Sequence, residues 1–367
     1  MKIAMFGHKQ IPSRAGGVEV VVEQLATRMA AQGHHVTCYN RKSRAHAETV
    51  RLKEYQGVAL RSVPTLTLKG LAAMTASFFA ALCCAFSNAQ VVHIHAEGPA
   101  AMCWLPKLFG KRIIVTVHGL DWQREKWQNS VGKKYIHLGE KMAVRFADEI
   151  IVLSRNVQDY FMKQYGRETV WIPNGITMPE RLDADQIKAF GLQKDNYILF
   201  LGRLVPEKGV HYLIEAYKKL DTDKKLVIAG NVSDTNAYGR RLRAMAADDS
   251  RVVFTGFVQG ELLSELYTNA YVYVLPSDLE GMPLSLLEAM SYGNCCVVSD
   301  IRECMEVVEA NAVLFPQGNV RALSDCLQKL CDEPDTVDYY RRGSRRFVCE
   351  KYNWERIVSQ TLTLYER

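Results

Sequence analysis

The ten cysteines of this 367-residue chain include no C-x-x-C pair, so the spacing that marks zinc clips and dithiol redox sites is missing. Most lie in apolar runs, Cys83-Cys84 and Cys295-Cys296 among them, and read as buried free thiols of a reducing cytoplasm. No apolar run reaches membrane-spanning length. The longest, Leu71 to Phe86, is broken by Thr75 and Ser77 and is rich in small residues. Low-complexity tracts and internal repeats are missing, which excludes solenoids and fibrous classes. Helix-turn-helix, zinc-finger and RNP patterns are missing too, so no nucleic-acid partner is expected. His93 and His95 share a strand face, but no third ligand has matching spacing, so packing and loop roles are expected and no metal. Met1 to Gly7 reads as a first β-strand with no cleavage pattern after it, which argues against a signal peptide.

What remains is globular in composition, 48% hydrophobic and 23% charged, and long enough for two ordinary domains. The net charge of +6 is unevenly spread. Residues 1–175 hold 23 Lys and Arg against 12 Asp and Glu, a net of +11, and the remainder is −5. A basic half suits an anionic partner such as a membrane face or a diphosphate-bearing acceptor; a plain solvated basic surface is the alternative.

Strands alternate with helices. Ile3–Gly7, His35–Arg41, Val91–His95, Arg112–Val117 and Glu149–Leu153 read as buried strands of one parallel sheet, with a helix over Val18–Gln32. A second series starts at Tyr197–Gly202 and continues through strands Lys225–Gly230, Val252–Phe257, Tyr271–Leu275 and Cys295–Ser299. Three helices follow: Val320–Cys331, Thr336–Glu350 and Trp354–Tyr365. The pattern predicts an α/β protein with two Rossmann-like domains.

The most informative stretch is Glu280-Gly281-Met282-Pro283-Leu284-Ser285-Leu286-Leu287-Glu288. Pro283 suits the first helical position, which puts Glu280 in a strand-to-helix loop and Glu288 inside a helix. Only Ser285 and Glu288 are polar between Pro283 and Met290, and they share a face. A buried carboxylate needs a partner, and the helix start offers backbone N–H groups to an anion. This reads as a site for a nucleotide sugar. Arg203 ends one buried strand, and Lys208 is read as opening the next helix after the Pro206 turn. Two cations at the carboxyl edge of a parallel sheet can hold a diphosphate leaving group. Gly16 and Gly17 precede a helix and let backbone approach a phosphate or sugar. His118 follows another strand at its carboxyl end, and Asp121 is placed to cap the next helix. The strings Asp183-Ala184-Asp185 and Asp221-Thr222-Asp223 match D-x-D but fall in polar caps and turns, so Arg203 and Lys208 replace a divalent ion.

The combination of Gly16-Gly17-Val18-Glu19, His118-Gly119-Leu120-Asp121, Pro173-Asn174-Gly175, Gly202-Arg203 through Lys208-Gly209, and Glu280 through Glu288 resembles the retaining glycosyltransferases of family 4, which have the GT-B fold. The resemblance covers essentially the whole chain. It implies two domains facing across a cleft that closes on substrate: 1–175 for the acceptor, joined by a C-terminal helix, 352–367, that crosses back, and 176–351 for the nucleotide sugar. The stretches Ile11–Glu19 and His118–Trp127 are also similar to a bacterial surface-polysaccharide subgroup that includes rhamnosyltransferases, whose members often carry Asp where this chain has His118. From the resemblance, Arg203 and Lys208 hold the donor diphosphate, and Glu288 binds the ribose. Glu280 contacts the sugar near the reacting carbon, and His118 its hydroxyls. Leu284 and Ser285 take the distal phosphate, and Asn231 and Val258 flank the base. The implied reaction moves a hexose-type sugar, from UDP by preference or from dTDP-rhamnose or GDP-mannose, to a lipid-linked or glycan acceptor. It would use no cofactor beyond the donor and would take place in the cytoplasm, peripheral to the inner membrane face. A nucleotide-sugar epimerase and a non-catalytic nucleotide-sugar-binding protein are the rival classes.

Overall fold

The computed structural model describes residues 1–42, 52–66, 71–127, 131–232 and 236–367. It divides into two compact units, Met1–Gly175 with Trp354–Arg367, and Ile176–Asn353.

The first unit is built on an eight-stranded sheet. Its strands are β1 (Lys2–Phe6), β2 (His35–Arg41), β3 (Glu54–Tyr55), β4 (Val58–Val63), β5 (Val91–His95), β6 (Arg112–Val117), β7 (Glu149–Val152) and β8 (Val170–Trp171), in the order β3-β4-β2-β1-β5-β6-β7-β8. All neighbours are parallel except β3 and β4. The helices are α1 (Gly17–Ala31), α2 (Leu71–Ala85), α3 (Glu97–Ala100), α4 (Trp104–Leu108), α5 (Val131–Phe146) and α6 (Arg155–Tyr165). Helices on both faces bury the central strands, which explains their continuous apolar runs. In the second unit, β9 (Tyr197–Leu201), β10 (Lys225–Ala229), β11 (Val252–Gly256), β12 (Val272–Leu275), β13 (Cys295–Ser299) and β14 (Val313–Phe315) form an all-parallel sheet in the order β11-β10-β9-β12-β13-β14. Its helices are α7 (Val210–Tyr217), α8 (Asn236–Met245), α9 (Gly260–Asn269), α10 (Leu284–Tyr292), α11 (Arg302–Val308), α12 (Val320–Asp332) and α13 (Pro334–Lys351). Each unit is therefore Rossmann-like, with the chain reversing direction across the sheet at its centre.

The last helix, α14 (Trp354–Glu366), belongs to the first unit. The Tyr365 hydroxyl lies 2.6 Å from His93 Nδ1, and Arg112 Nε donates to the Leu364 carbonyl at 2.9 Å. Trp354 is buried against Gly175, where an added Cβ would meet the indole at 2.4 Å.

Most of the apolar stretch 71–86 forms the packed helix α2. Ala76, Ala80, Ala81 and Cys84 are buried with Ala4, Phe6, Val92 and Ile94, because small residues let α2 approach the sheet closely. Of its large apolar side chains Leu71, Phe78 and Phe86 remain exposed, on it or at its end. Among the described residues no helix is long and apolar enough to cross a membrane. All ten cysteines are free thiols.

At the amino edge of the second sheet, a cavity of about 610 Å³ is lined by Arg181, Asn269, Gly293, Arg341 and Arg345 among others. Three of its arginines are tied to backbone: Arg181 to the Tyr292 carbonyl, Arg341 to those of Ala270 and Tyr271, and Arg345 to that of Pro179. They satisfy carbonyls at helix and strand ends.

Replacing Tyr365 by Phe keeps the ring and deletes the hydroxyl that meets buried His93. It should lower the stability of the first unit by about 1–3 kcal/mol, read from the urea unfolding midpoint; an unchanged midpoint would show that the bond does not anchor α14.

Candidate functional site

β9 and β12 are neighbours, and the chain leaves them toward opposite sides of the sheet. The crevice at their carboxyl ends is where such sheets bind ligands. β9 runs into Gly202 and Arg203, then a 3-10 turn, Pro206–Lys208, and Gly209. β12 runs into Ser277 and Glu280. The Lys208 ammonium lies 2.6 Å from Glu280 Oε1, and the Ser277 hydroxyl donates to the same oxygen at 2.6 Å. The two charged side chains are only 13% and 7% exposed, so this ion pair is largely desolvated. Backbone contacts reinforce it: Asp278 N donates to the Glu207 carbonyl at 2.9 Å, and the Tyr212 hydroxyl to Asp278 Oδ2 at 3.2 Å. Gly209 has a left-handed φ of +64°, and a Cβ there would sit 2.0 Å from the Pro276 carbonyl, so only glycine fits.

Lys208 therefore ends a 3-10 turn and does not open α7, because Gly209 interrupts the helical path. An ammonium has three donors, and the bond to Glu280 leaves two for an oxyanion. Pro283 is also displaced from expectation. With ψ of 102° it is the N-cap of α10 instead of its first helical residue. Its carbonyl accepts from Leu286 and Leu287 N–H at 3.1 and 3.2 Å. The N–H groups of Leu284 and Ser285 start the helix without an intrahelical partner and carry the partial positive charge of its end.

Ser285 and Glu288 do share a face, held by tyrosines that local sequence did not single out. The Tyr267 hydroxyl of α9 donates to Glu288 Oε2 at 3.1 Å, and the Tyr273 hydroxyl of β12 to Ser285 Oγ at 2.9 Å. Tyr267 stacks on Tyr292 at 5.2 Å. Burial pushes both phenols up, with the Glu288 charge adding to the effect at Tyr267, so both act as donors. Asn231 and Val258 follow β10 and β11 at the same edge of the sheet. Asn231 is exposed and its carbonyl accepts from Leu204 N–H at 3.0 Å, while Val258 is buried.

In the first unit the corresponding crevice lies at β1 and β5. His118, just past β6, is half-buried, with Nε2 3.1 Å from His95 Nδ1. His93 stacks 4.1 Å from His95 and bonds Thr116 and Tyr365 through its two nitrogens. Burial pushes His118 and His8 down to about 4 and His93 to about 3, and holds His95 well below its usual value. These imidazoles are uncharged at neutral pH and can exchange hydrogen bonds in either sense. Among the described residues, no group of three or more His, Cys, Asp or Glu is placed to hold a metal ion. The four aspartates of the D-x-D strings are exposed.

Gly16 is the N-cap of α1, and a Cβ on it would meet Glu19 Oε2 at 2.3 Å. Glu19 Oε1 accepts from Lys9 N–H at 2.8 Å, and Glu23 Oε2 from Ser13 N–H at 3.2 Å. The glycine loop is thus closed by carboxylates from its own helix, with Gly17 exposed at the tip. Asp121 makes no helix cap. It starts a 3-10 turn, Asp121–Gln123, and pairs with Arg124 at 3.0 Å.

The family described as Glycosyltransferase Family 4 matches residues 15–178, and that described as Glycosyl transferases group 1 matches residues 183–360. The chain is a family 4 glycosyltransferase. It is 28% identical to an uncharacterized glycosyltransferase of Methanocaldococcus jannaschii over 76% of this chain and 75% of that one. Sucrose-phosphate synthase from Thermosynechococcus elongatus superimposes with a TM-score of 0.83 at 22% identity, covering 100% of this chain and 98% of that one. HepE of Anabaena, solved in complex with UDP and glucose, also gives 0.83, at 16% identity over 99% and 98%. The fold of this glycosyltransferase is GT-B, its reaction retains the anomeric configuration, and its donor is a nucleotide sugar.

Removing one partner of the Lys208–Glu280 pair strands the other charge in a nearly dry site. Lys208→Met and Glu280→Gln should each cost the second unit about 3 kcal/mol. The double variant should be clearly more stable than the sum of the two losses implies. Strict additivity in urea unfolding would show that the pair is not coupled.

Proposed function

We propose that this glycosyltransferase moves a hexose-type sugar from a UDP-sugar to a lipid-linked or oligosaccharide acceptor in the assembly of bacterial cell-surface polysaccharide. The supporting observation is the cluster at the β9–β12 edge, where the Lys208 ammonium meets Glu280 at 2.6 Å. In this reading Arg203 and Lys208 neutralise the donor diphosphate, and the Leu284 and Ser285 N–H groups and the Ser285 hydroxyl take its distal phosphate. Glu288 accepts from the ribose hydroxyls, and Asn231 and Val258 flank the base. Neutral His118 hydrogen-bonds the transferred sugar, and the Gly16–Gly17 loop approaches the donor's phosphate or sugar.

Retention then follows from front-face displacement. The acceptor oxygen bonds to the anomeric carbon on the face from which the diphosphate departs. The bond from that carbon to the phosphate oxygen breaks, and the acceptor proton passes to the leaving oxygen. Arg203 and Lys208 stabilise the charge that develops there. With Oε1 bound by Lys208 and Ser277, Glu280 acts as a fixed hydroxyl acceptor rather than the base. The UDP preference draws support from HepE, which was solved with UDP.

In a thermal-shift panel of UDP, GDP, dTDP and ADP, UDP should give the largest stabilisation. Arg203→Ala should weaken UDP binding by about tenfold or more, the loss of one charge-assisted contact. A larger shift with another nucleotide would overturn the UDP assignment. Turnover of the matching UDP-sugars with lipid-linked acceptors would then name the sugar.

The same reading seats the protein on the anionic inner face of the cell membrane. Phe86 and Leu108 are each 71% exposed, Phe86 and Phe109 pack edge to face at 4.8 Å, and residues 1–175 carry a net charge of +11. An apolar rim within a basic unit suits insertion beneath anionic headgroups. Vesicles of phosphatidylglycerol and phosphatidylcholine should co-sediment with the protein, and pure phosphatidylcholine should not. Phe86→Ser with Leu108→Ser should reduce binding by about tenfold, in line with lost apolar insertion. Equal binding to neutral vesicles, or none to anionic ones at physiological salt, would sink the assignment.

A further inference from the structure

Beneath the His118–Asp121 turn lie two carboxyl groups that the reaction scheme leaves unused. Glu97 starts α3 and Glu140 lies in α5, and each is 1% exposed. Glu97 Oε2 accepts from Asp121 N–H at 2.9 Å. Glu140 Oε2 accepts from the hydroxyls of Tyr160 and Tyr165 at 3.0 and 2.6 Å and lies 3.2 Å from His137 Nδ1. The remaining oxygen of each, Oε1, is buried and has no hydrogen-bond partner. Gly139, the neighbour of Glu140, stands against the Glu97 carbonyl, and the charge of Glu140 acts on the Glu97 carboxyl. Two buried carboxylates side by side cannot both ionise at modest cost.

We propose that Glu97 and Glu140 share one proton, and that this acid pair is a positioning device that holds the Asp121 backbone and, through it, the turn carrying His118. The backbone around the pair leaves little freedom. A Cβ on Gly139 would stand 1.8 Å from the Glu97 carbonyl, so α3 and α5 are in backbone contact at the dyad. Glu97 follows Ala96, a non-glycine residue at φ +77°, whose N–H is bonded to the Thr116 carbonyl at 2.9 Å. Asp121 is fixed from its other side by Arg124. Tyr160 and Tyr165 are themselves pushed up, first by burial, so they remain donors to Glu140 and cannot supply the proton.

The groups facing Glu97 set the direction of its titration. Burial, then the charges of Asp121 and Glu140, push its carboxyl well above the ordinary range, against the smaller opposing effect of the Asp121 N–H. His137 and the two tyrosines face Glu140, and Tyr135 packs beside Gly98. A carboxyl raised on folding stabilises the protein below its ordinary titration range. That stability is lost as pH rises through the raised value.

The role assigned to the turn rests on the proposed part of His118 in transfer; the shared proton does not. The test compares wild type, Glu97→Gln and Glu97→Ala in the full-length protein. Gln can donate to Glu140 Oε1 and accept from Asp121 N–H, but it cannot titrate. Wild type should lose melting temperature as pH is raised from about 5 to 9, and Glu97→Gln should flatten that slope and move the alkaline limb of transfer activity to higher pH. Glu97→Ala should have at least tenfold lower kcat than Glu97→Gln at pH 7, with UDP affinity within twofold of wild type. A Glu97→Gln slope identical to wild type would overturn the shared proton. A flattened slope with equal kcat in the Gln and Ala variants would overturn the positioning role alone. If no nucleotide sugar supports transfer, the functional reading fails while the melting series still decides the dyad.

Discussion

The second unit is organised around one desolvated ion pair. Lys208 and Glu280 lie 72 residues apart, yet they tie the exits of the two central strands, β9 and β12, to each other. Around them the Glu207–Asp278 backbone bond and the contact of Gly209 with Pro276 fix the same two loops. The start of α10 is set by where the Glu280 loop ends, so the helix that carries Ser285 and Glu288 takes its position from this knot. A carboxylate held by a lysine and a hydroxyl at one oxygen presents its other oxygen in a defined direction, which a solvated side chain could not do. In the proposed reading the pair serves recognition as well as stability.

The first unit answers the same topological problem with neutral groups. Its switch point between β1 and β5 is lined by His8, His93, His95 and His118, all kept uncharged by burial. The carboxylates there point into the glycine loop or lie under the turn after β6. Two cations lie at the same edge: Arg41 donates to the Gly7 carbonyl at 3.2 Å, and Arg124 pairs with Asp121.

Much of this architecture was legible because each strand and helix carries its own local signal. Continuous apolar runs marked buried parallel strands, and the polar pair Ser285 and Glu288 in an otherwise apolar helix marked a face with a purpose. What could not be read was partnership. Tyr267 and Tyr273 looked like ordinary core aromatics until their hydroxyls were seen on Glu288 and Ser285. Glu97 and Glu140, 43 positions apart in the sequence, gave no hint of contact. The short strand β4 does not stand out, because its apolar run Val58-Ala59-Leu60 gives way to Arg61 and Ser62. Small shifts, such as Pro283 capping α10 and Gly209 separating Lys208 from α7, turn on backbone dihedrals that residue type only biases.

The return of α14 to the first unit also makes that unit discontinuous in the chain. The chain passes from Gly175 into the second unit and comes back at Trp354, with Ile176 and Asn353 bridged side by side. Residues 176–353 form a continuous unit that can fold as soon as it emerges. The first unit, although synthesised first, waits for the last fourteen residues to bring Trp354 and Tyr365 to Gly175 and His93. Completion of the first unit thus depends on residues that are synthesised after the whole of the second.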